Sequence, residues 1–159
     1  MGTIMQPMNF AFTEEQEELR KTVRAFMDSK SSEAAVRELM ETEDGYDEAV
    51  WKQAAEQLGL QGLAIPEEFG GSGYGFVELG IVLEEMGRAL FTAPFFSTVV
   101  LAGTTLLQSG DEAAKKAHLP GIASGAVLPP RRTSTWRPPA PVPVWSGVRI
   151  DRALVELRG

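Results

Sequence analysis

Apolar positions in the first three-quarters of the chain recur mainly at helical spacing. Leu19, Val23, Phe26 and Met27 fall at i, i+4, i+7 and i+8, which predicts one apolar stripe on an otherwise charged helix. Thr13 and Gln16 stand in front of it at capping-box spacing, and Glu14, Glu15, Glu17 and Glu18 precede Arg20 and Lys21, the order that the helix dipole favours. A shorter helix is predicted over about 33–40, followed by a solvated connection at Glu41-Thr42-Glu43-Asp44-Gly45. Asp47 can cap a third helix that turns Val50, Trp51, Ala54, Ala55 and Leu58 inward, and Gly59 stands where a left-handed C-terminal residue ends it.

Leu60 to Pro66 reads as an extended apolar stretch, and Gly70-Gly71-Ser72-Gly73-Tyr74-Gly75 as a turn-rich loop. From Phe76 the period of 3.6 resumes: Phe76, Leu79, Leu83, Met86 and Leu90 share a face that Val77, Ile81 and Val82 widen. Gly80 and Gly87 beside that face predict the close approach of a neighbouring helix. Residues 97–107 are apolar nearly all round, which predicts a helix buried in the middle of a bundle. Gly110 closes it, Asp111 caps a last helix, and Pro120 is expected just beyond that helix's final turn. Five to six helices with short connections, and no alternating run before residue 125, predict an all-α, orthogonal or bundle-like domain.

Charge divides the chain of 159 residues, whose net charge is -7, into two unlike parts. Residues 1–125 hold 20 acidic and 9 basic side chains, a balance of -11, whereas residues 126–159 hold 2 acidic and 6 basic, a balance of +4. Six of the ten prolines and two of the three tryptophans also fall in that last part, so a boundary is expected near Gly125. The expected organisation is a disordered N-terminus at 1–8, a helical domain at 9–125, and an irregular Pro/Arg-rich tail at 126–159, also disordered. In that tail Pro138 to Pro143 favours polyproline II. Its Arg, Pro, Trp, Ser and Val content is that of a GC-rich coding region read in a shifted frame. A frameshift near codon 125 is therefore expected, and translation of the neighbouring frame in the genomic sequence tests it.

The acidic balance excludes a general nucleic-acid binder, which gathers Lys and Arg on one face. The absence of cysteine excludes disulfide frameworks, thiolate nucleophiles and Cys-based metal sites, and suits a reducing, cytoplasmic setting. Met1 to Met8 shows no basic region followed by an apolar stretch, so no secretory signal is read there. The apolar stretch from Phe95 to Leu107 is interrupted by Ser and Thr and is shorter than the roughly 20 residues a membrane span needs, so none is expected.

The order of motifs carries a resemblance. Phe12-Thr13-Glu14-Glu15-Gln16-Glu17-Glu18-Leu19-Arg20 is followed by Leu58-Gly59-Leu60, Ile65-Pro66-Glu67-Glu68-Phe69-Gly70-Gly71-Ser72-Gly73 and Leu83-Glu84-Glu85-Met86-Gly87-Arg88. Gly110-Asp111-Glu112 and Leu119-Pro120-Gly121-Ile122-Ala123-Ser124-Gly125 complete the series. Together they resemble the N-terminal helical domain of acyl-CoA dehydrogenases over roughly residues 9–125. The resemblance implies an enzyme of three domains: this helical layer, a middle β-barrel holding FAD with the acyl-CoA, and a C-terminal four-helix bundle. It implies α,β-dehydrogenation of acyl-CoA thioesters, with a carboxylate, usually from the last bundle, removing the α-proton while the β-hydride passes to the flavin. It also implies homo- or hetero-oligomers of dehydrogenase subunits. From Ala126 onward nothing resembles the barrel or the second bundle. These residues alone are therefore expected to bind no FAD and to be inactive; the alternative is a non-catalytic helical module that docks onto a complete dehydrogenase subunit.

Among candidate sites, the glycine loop at 70–75 lacks the Lys-Ser/Thr of a phosphate loop and is expected to be a structural turn. Glu67-Glu68 and Glu84-Glu85 are neighbours in sequence; consecutive helical residues diverge, so solvated faces or local ion pairs are expected rather than paired acid/base groups. His118, the only histidine, is expected to complement a helix C-terminus rather than bind metal. No catalytic, cofactor-binding or metal-binding residue is assigned. By the resemblance, the segment Ala93 to Leu101 forms part of the wall along which the acyl chain lies, with Pro94, Ser97, Thr98 and Leu101 as substrate-contact candidates.

Overall fold

The computed structural model describes residues 11–127, so the expectations for the N-terminal segment 1–8 and for the tail from 128 onward, its polyproline stretch included, lie outside the described residues. Six α-helices, and no strand among the described residues, bear out the all-α reading. They are α1 (Glu14–Lys30), α2 (Glu33–Met40), α3 (Glu48–Leu58), α4 (Phe76–Arg88), α5 (Thr104–Gln108) and α6 (Glu112–Ala123). Short 3-10 turns at Leu60–Gly62 and Glu67–Phe69 link α3 to α4, and a π-helical stretch, Phe96–Gly103, runs into α5. No helix among the described residues is long and apolar enough to cross a membrane.

Helix starts follow the local chemistry. The Thr13 hydroxyl accepts from the Gln16 N–H, and the Gln16 side chain accepts in return from the Thr13 N–H. Asp47 and Asp111 accept from free amides in the first turns of α3 and α6. Gly59, at φ 62, ends α3 in the left-handed conformation. Val23, Phe26 and Met27 of α1 are buried as their spacing predicts, packed with Leu79, Val82 and Met86 of α4 in one core that also holds Trp51 and Phe95.

Trp51 anchors the far side of that core. It is fully buried, meets Phe95 edge to face with ring centroids 6.4 Å apart, and donates from Nε1 to the Gly125 carbonyl at 2.8 Å. The end of α6 is thereby tied to α3. Gln61, also fully buried, donates from Nε2 to the Trp51 carbonyl at 2.9 Å. That bond accounts for the first correction. Leu60 to Pro66 is not extended: Gly62, Leu63 and Ile65 donate back to Gly59, Leu60 and Gly62, so the chain coils under α3.

Five further expectations are corrected. Gly80 and Gly87 face open space, with nothing within 4 Å of a Cβ built on either, so they seat no neighbouring helix among the described residues. On α4, Leu79, Ile81, Val82 and Met86 are buried, but Phe76 and Val77, and Leu90 just beyond the helix, are more than half exposed. The segment 97–107 is not buried all round, because Ser97, Leu101 and Ala102 are exposed while Thr98, Val99 and Gly103 are buried. Pro120 lies inside α6 rather than beyond it. Burial of Leu119, Ile122 and Ala123 on both sides of the proline carries the helix through the missing N–H. Because α6 continues to Ala123, its last turn holds no basic residue, and His118 is an exposed mid-helix side chain that complements no C-terminus.

Candidate functional site

Helix α4 ends at Arg88, and Leu90 then takes φ 52, a left-handed conformation that costs a branched side chain about 1–3 kcal/mol. The reversal sends the chain through Phe91-Thr92-Ala93 to Pro94 and leaves a shallow apolar hollow of about 230 Å³ between the end of α4 and the next segment. Leu83, Met86, Gly87, Leu90, Phe91, Ala93, Phe95 and Phe96 line it. Neither carboxylate nor hydroxyl stands among them. Such a surface accommodates a hydrocarbon chain by burial alone.

The four sequence-chosen residues flank this hollow rather than line it. Pro94 is half-buried; its carbonyl accepts from the Thr98 N–H at 3.0 Å and from the Ser97 hydroxyl at 3.1 Å, which starts the π-helical stretch. Positions 94, 97, 98 and 101 would share one face of an α-helix. The wider π turn separates them, so that Thr98 is 7% exposed and Leu101 54%. Of the hollow's own lining, Phe95 and Phe96 stand out in the sequence as bulky side chains that would shape such a cavity; Leu90 does not, because the reversal that turns it outward is not visible there.

The glycine loop is a turn, as expected. Its N–H groups are all occupied: Gly71 donates to Pro66, Ser72 to Gly62, Gly73 to Ile65 and Tyr74 to Leu63. The Gly75 N–H goes to the Glu78 carboxylate at 3.0 Å, which blocks the start of α4. No amide is left to cradle a phosphate. Gly71 is required by contact, since an added Cβ would run into the Ile65 carbonyl. Gly71→Ala is therefore expected to force the loop open and lower stability by about 1–3 kcal/mol, read as an earlier midpoint in urea with the slope retained.

The glutamates serve structure. Glu84 pairs with Arg20 at 3.1 Å across to α1. Glu85 is fully buried and takes Arg24 at 2.7 and 3.0 Å and Arg88 at 2.7 Å. Hydrogen bonds from Arg24 foremost, and then from Arg88, outweigh burial and hold the Glu85 carboxyl down to about 2. Arg88 continues to Asp28 at 2.7 Å, closing a network between α1 and α4. Glu78 is likewise lowered, first by the hydrogen bond from the Gln16 amide at 2.7 Å. Neither Glu84 nor Glu85 faces the hollow, and no metal-binding cluster of His, Asp and Glu occurs among the described residues.

A flavin dinucleotide does not fit what the described residues offer. The hollow beside Phe96 is smaller than such a ligand, the glycine-loop amides are taken, and the cleft beside α2 holds Asp28, Glu33 and Glu41 with its two arginines, Arg37 and Arg88, already in ion pairs, so no cation there is left for a diphosphate.

Residues 13–126 match the family model described as "Acyl-CoA dehydrogenase, N-terminal domain". Acyl-CoA dehydrogenase IpdE2 of Mycolicibacterium smegmatis is 42% identical over 116 residues, covering 73% of this chain and 36% of that protein. Among solved structures, the ChsE4-ChsE5 complex from Mycobacterium tuberculosis superposes with a TM-score of 0.69 at 29% identity, over 76% of this chain and 33% of that one. The Tcur3481-Tcur3483 steroid ACAD G363A variant gives 0.66 at 31% identity, over 72% and 31%. The chain thus spans about a third of the length of these relatives. It belongs to the acyl-CoA dehydrogenase family, whose N-terminal helical domain it carries.

Proposed function

We propose that residues 9–125 are the helical wall of an FAD-dependent acyl-CoA dehydrogenase, with Pro94, Ser97, Thr98 and Leu101 alongside the acyl chain, and that the 159 residues by themselves do not catalyse the reaction. The observation that carries this reading is the open apolar hollow between Leu83 and Phe96, which offers an alkyl chain a surface but offers its thioester no side-chain base and no side-chain hydrogen-bond donor. α,β-Dehydrogenation needs an acceptor for the α-proton and an electron acceptor for the β-hydride. When bound in a complete enzyme, FAD would supply the latter. What this chain's residues do is exclude water from one side of an acyl chain and hold it against Phe95 and Phe96.

Purified protein is expected to be colourless and to show no acyl-CoA-dependent dye reduction; a yellow protein that reduces dye on addition of acyl-CoA overturns the claim of inactivity. The wall itself is tested in amide NMR spectra during titration with a saturated acyl-CoA. Shifts confined to residues 83–101 are expected, and shifts only elsewhere would remove the four residues from the wall.

A second reading is a non-catalytic module that docks onto a dehydrogenase subunit. Phe76, Val77, Leu90, Phe96 and Leu101 are each more than half exposed, the kind of apolar surface that a partner covers. Structural neighbours whose names join two gene products, ChsE4-ChsE5 and Tcur3481-Tcur3483, agree with assembly from dehydrogenase subunits. Co-purification of colourless protein with a dehydrogenase subunit favours this reading.

A further inference from the structure

Along α4, Phe76, Gly80, Leu83 and Gly87 recur at i, i+4, i+7 and i+11, the spacing of a seam that meets a second helix. Among the described residues nothing meets it. Phe76 and Val77 at its start, and Leu90 and Phe96 beyond its end, are more than half exposed, and nothing stands within 4 Å of a Cβ built on Gly80 or Gly87. The seam is also self-complementary. At one end Phe76 stands out from the surface; at the other, Leu83, Gly87, Leu90 and Phe96 border the hollow of about 230 Å³. A cavity of about 150 Å³ already takes a benzene ring, so the hollow has room for one phenyl side chain.

A twofold axis at the level of Leu83 and Glu84 brings these two ends onto each other. We propose that this face joins two copies of the chain, α4 against α4 in antiparallel, with Phe76 of each copy seated in the hollow of the other. Such an interface uses the same patch twice and closes at two copies. With no side chain at Gly80 or Gly87, the two backbones can come closer than the about 8–10 Å of ordinary helix packing. Charge does not oppose the contact, because the charged residues beside the seam are paired within each copy, Glu84 with Arg20 at 3.1 Å and Arg88 with Asp28 and Glu85 at 2.7 Å each. Area favours it. Phe76, Phe96 and Tyr74 just ahead of α4, each more than half exposed, present roughly 350 Å² per copy. With Val77 and Leu90 included, two copies bury on the order of 1,000 Å² of apolar surface, the threshold that a specific interface has to clear. The hollow that Phe76 enters is the one where the acyl-wall reading lays an acyl chain, so this dimer is the form of the chain without acyl-CoA.

Sedimentation equilibrium of the full chain, without flavin or acyl-CoA, is expected to give twice the 17.3 kDa of one copy. Phe76→Ser and Leu90→Gly should each raise the dissociation constant of the dimer about tenfold or more, with the far-UV circular dichroism unchanged. Both side chains are mostly exposed, and glycine suits the φ of 52 at position 90. Orientation is read by cross-linking, for which a sequence without cysteine gives no background. A mixture of Gly80→Cys and Gly87→Cys chains should form a disulfide across the seam under mild oxidation, whereas either variant alone should not. An antiparallel pair holds equal positions about 10 Å apart along the axis, beyond the roughly 7 Å that a disulfide spans. Four results overturn the proposal: a chain that stays monomeric; a dimer that both substitutions leave intact; cross-links that form as fast within one variant as in the mixture; or a chain that pairs only with a complete dehydrogenase subunit, which would make that subunit the occupant. The acyl wall is read separately, from amide shifts on titration with acyl-CoA, so either reading can fail without the other.

Discussion

Trp51→Ala is expected to lower the unfolding free energy by about 3–5 kcal/mol, the range for removing a large aromatic from a closed core. Domains of this size are stable by only about 5–15 kcal/mol, so the variant should lie at or near the unfolding threshold at 37 °C. The cost has three sources. The indole is wholly buried, its edge contact with Phe95 is lost, and the Gly125 carbonyl loses the donor that ties α6 to α3. Trp51→Phe keeps most of the volume and the ring contact but not the N–H. It should therefore cost less, about 1–3 kcal/mol for the stranded carbonyl. Urea unfolding followed by far-UV circular dichroism reads both, since the substitutions remove a fluorophore. A loss below 1 kcal/mol for Trp51→Ala would mean that the end of α6 is not held by this contact.

Trp51 also shows where sequence reading reaches its limit. Helical spacing puts it on the buried side of α3, and that is where it lies. Nothing in the spacing says that its N–H meets Gly125, 74 positions later. Caps were legible because they are local: Thr13 with Gln16, Asp47, Gly59 and Asp111 each act within a few residues of where they stand. What was misread depended on partners elsewhere in the chain. The apolar run at 60–66 coils because Gln61 reaches back to Trp51. α6 passes through Pro120 because its neighbours on the helix are buried. The faces of Gly80 and Gly87 are open because no described element packs there. The candidate site divides in the same way. The apolar character of 93–101 was plain in the sequence, but a helix drawn with 3.6 residues per turn puts Thr98 and Leu101 on one face, and only the wider π turn sends one inward and the other out. Glu85 was expected in a solvated or ion-paired role. Its complete burial follows from the meeting of α1 and α4, which brings Arg24 and Arg88 to one carboxylate.

That meeting makes an acid-sensitive joint. An ordinary glutamate titrates near 4.5, whereas in the folded chain Arg24 and Arg88 hold Glu85 down to about 2. The folded form thus releases this proton more readily than the unfolded chain does. Its contribution to stability is fully present above about pH 4.5 and disappears as the pH falls toward about 2. The two outer guanidiniums stay in contact with water, so loss of the carboxylate leaves them hydrated rather than trapped, which limits the damage. Glu85→Gln should accordingly cost about 1.5–3 kcal/mol at neutral pH, the range for hydrogen bonds to a charged group. Against the parent chain, that deficit should shrink between pH 4.5 and 2, because the parent loses there what the variant never had. Asp28→Asn removes only the exposed end of the network and should change stability much less. If the gap between parent and Glu85→Gln in urea melts stayed constant down to pH 2.5, the buried carboxylate would not be the group through which acid loosens α1 from α4. The same variant bears on the acyl wall, because α4 carries Glu85 on its inner side and Leu83, Met86 and Gly87 along the hollow. A joint that loosens in acid should widen that hollow before the core around Trp51 gives way, so amide signals at 83–96 are expected to broaden at a higher pH than those of α3.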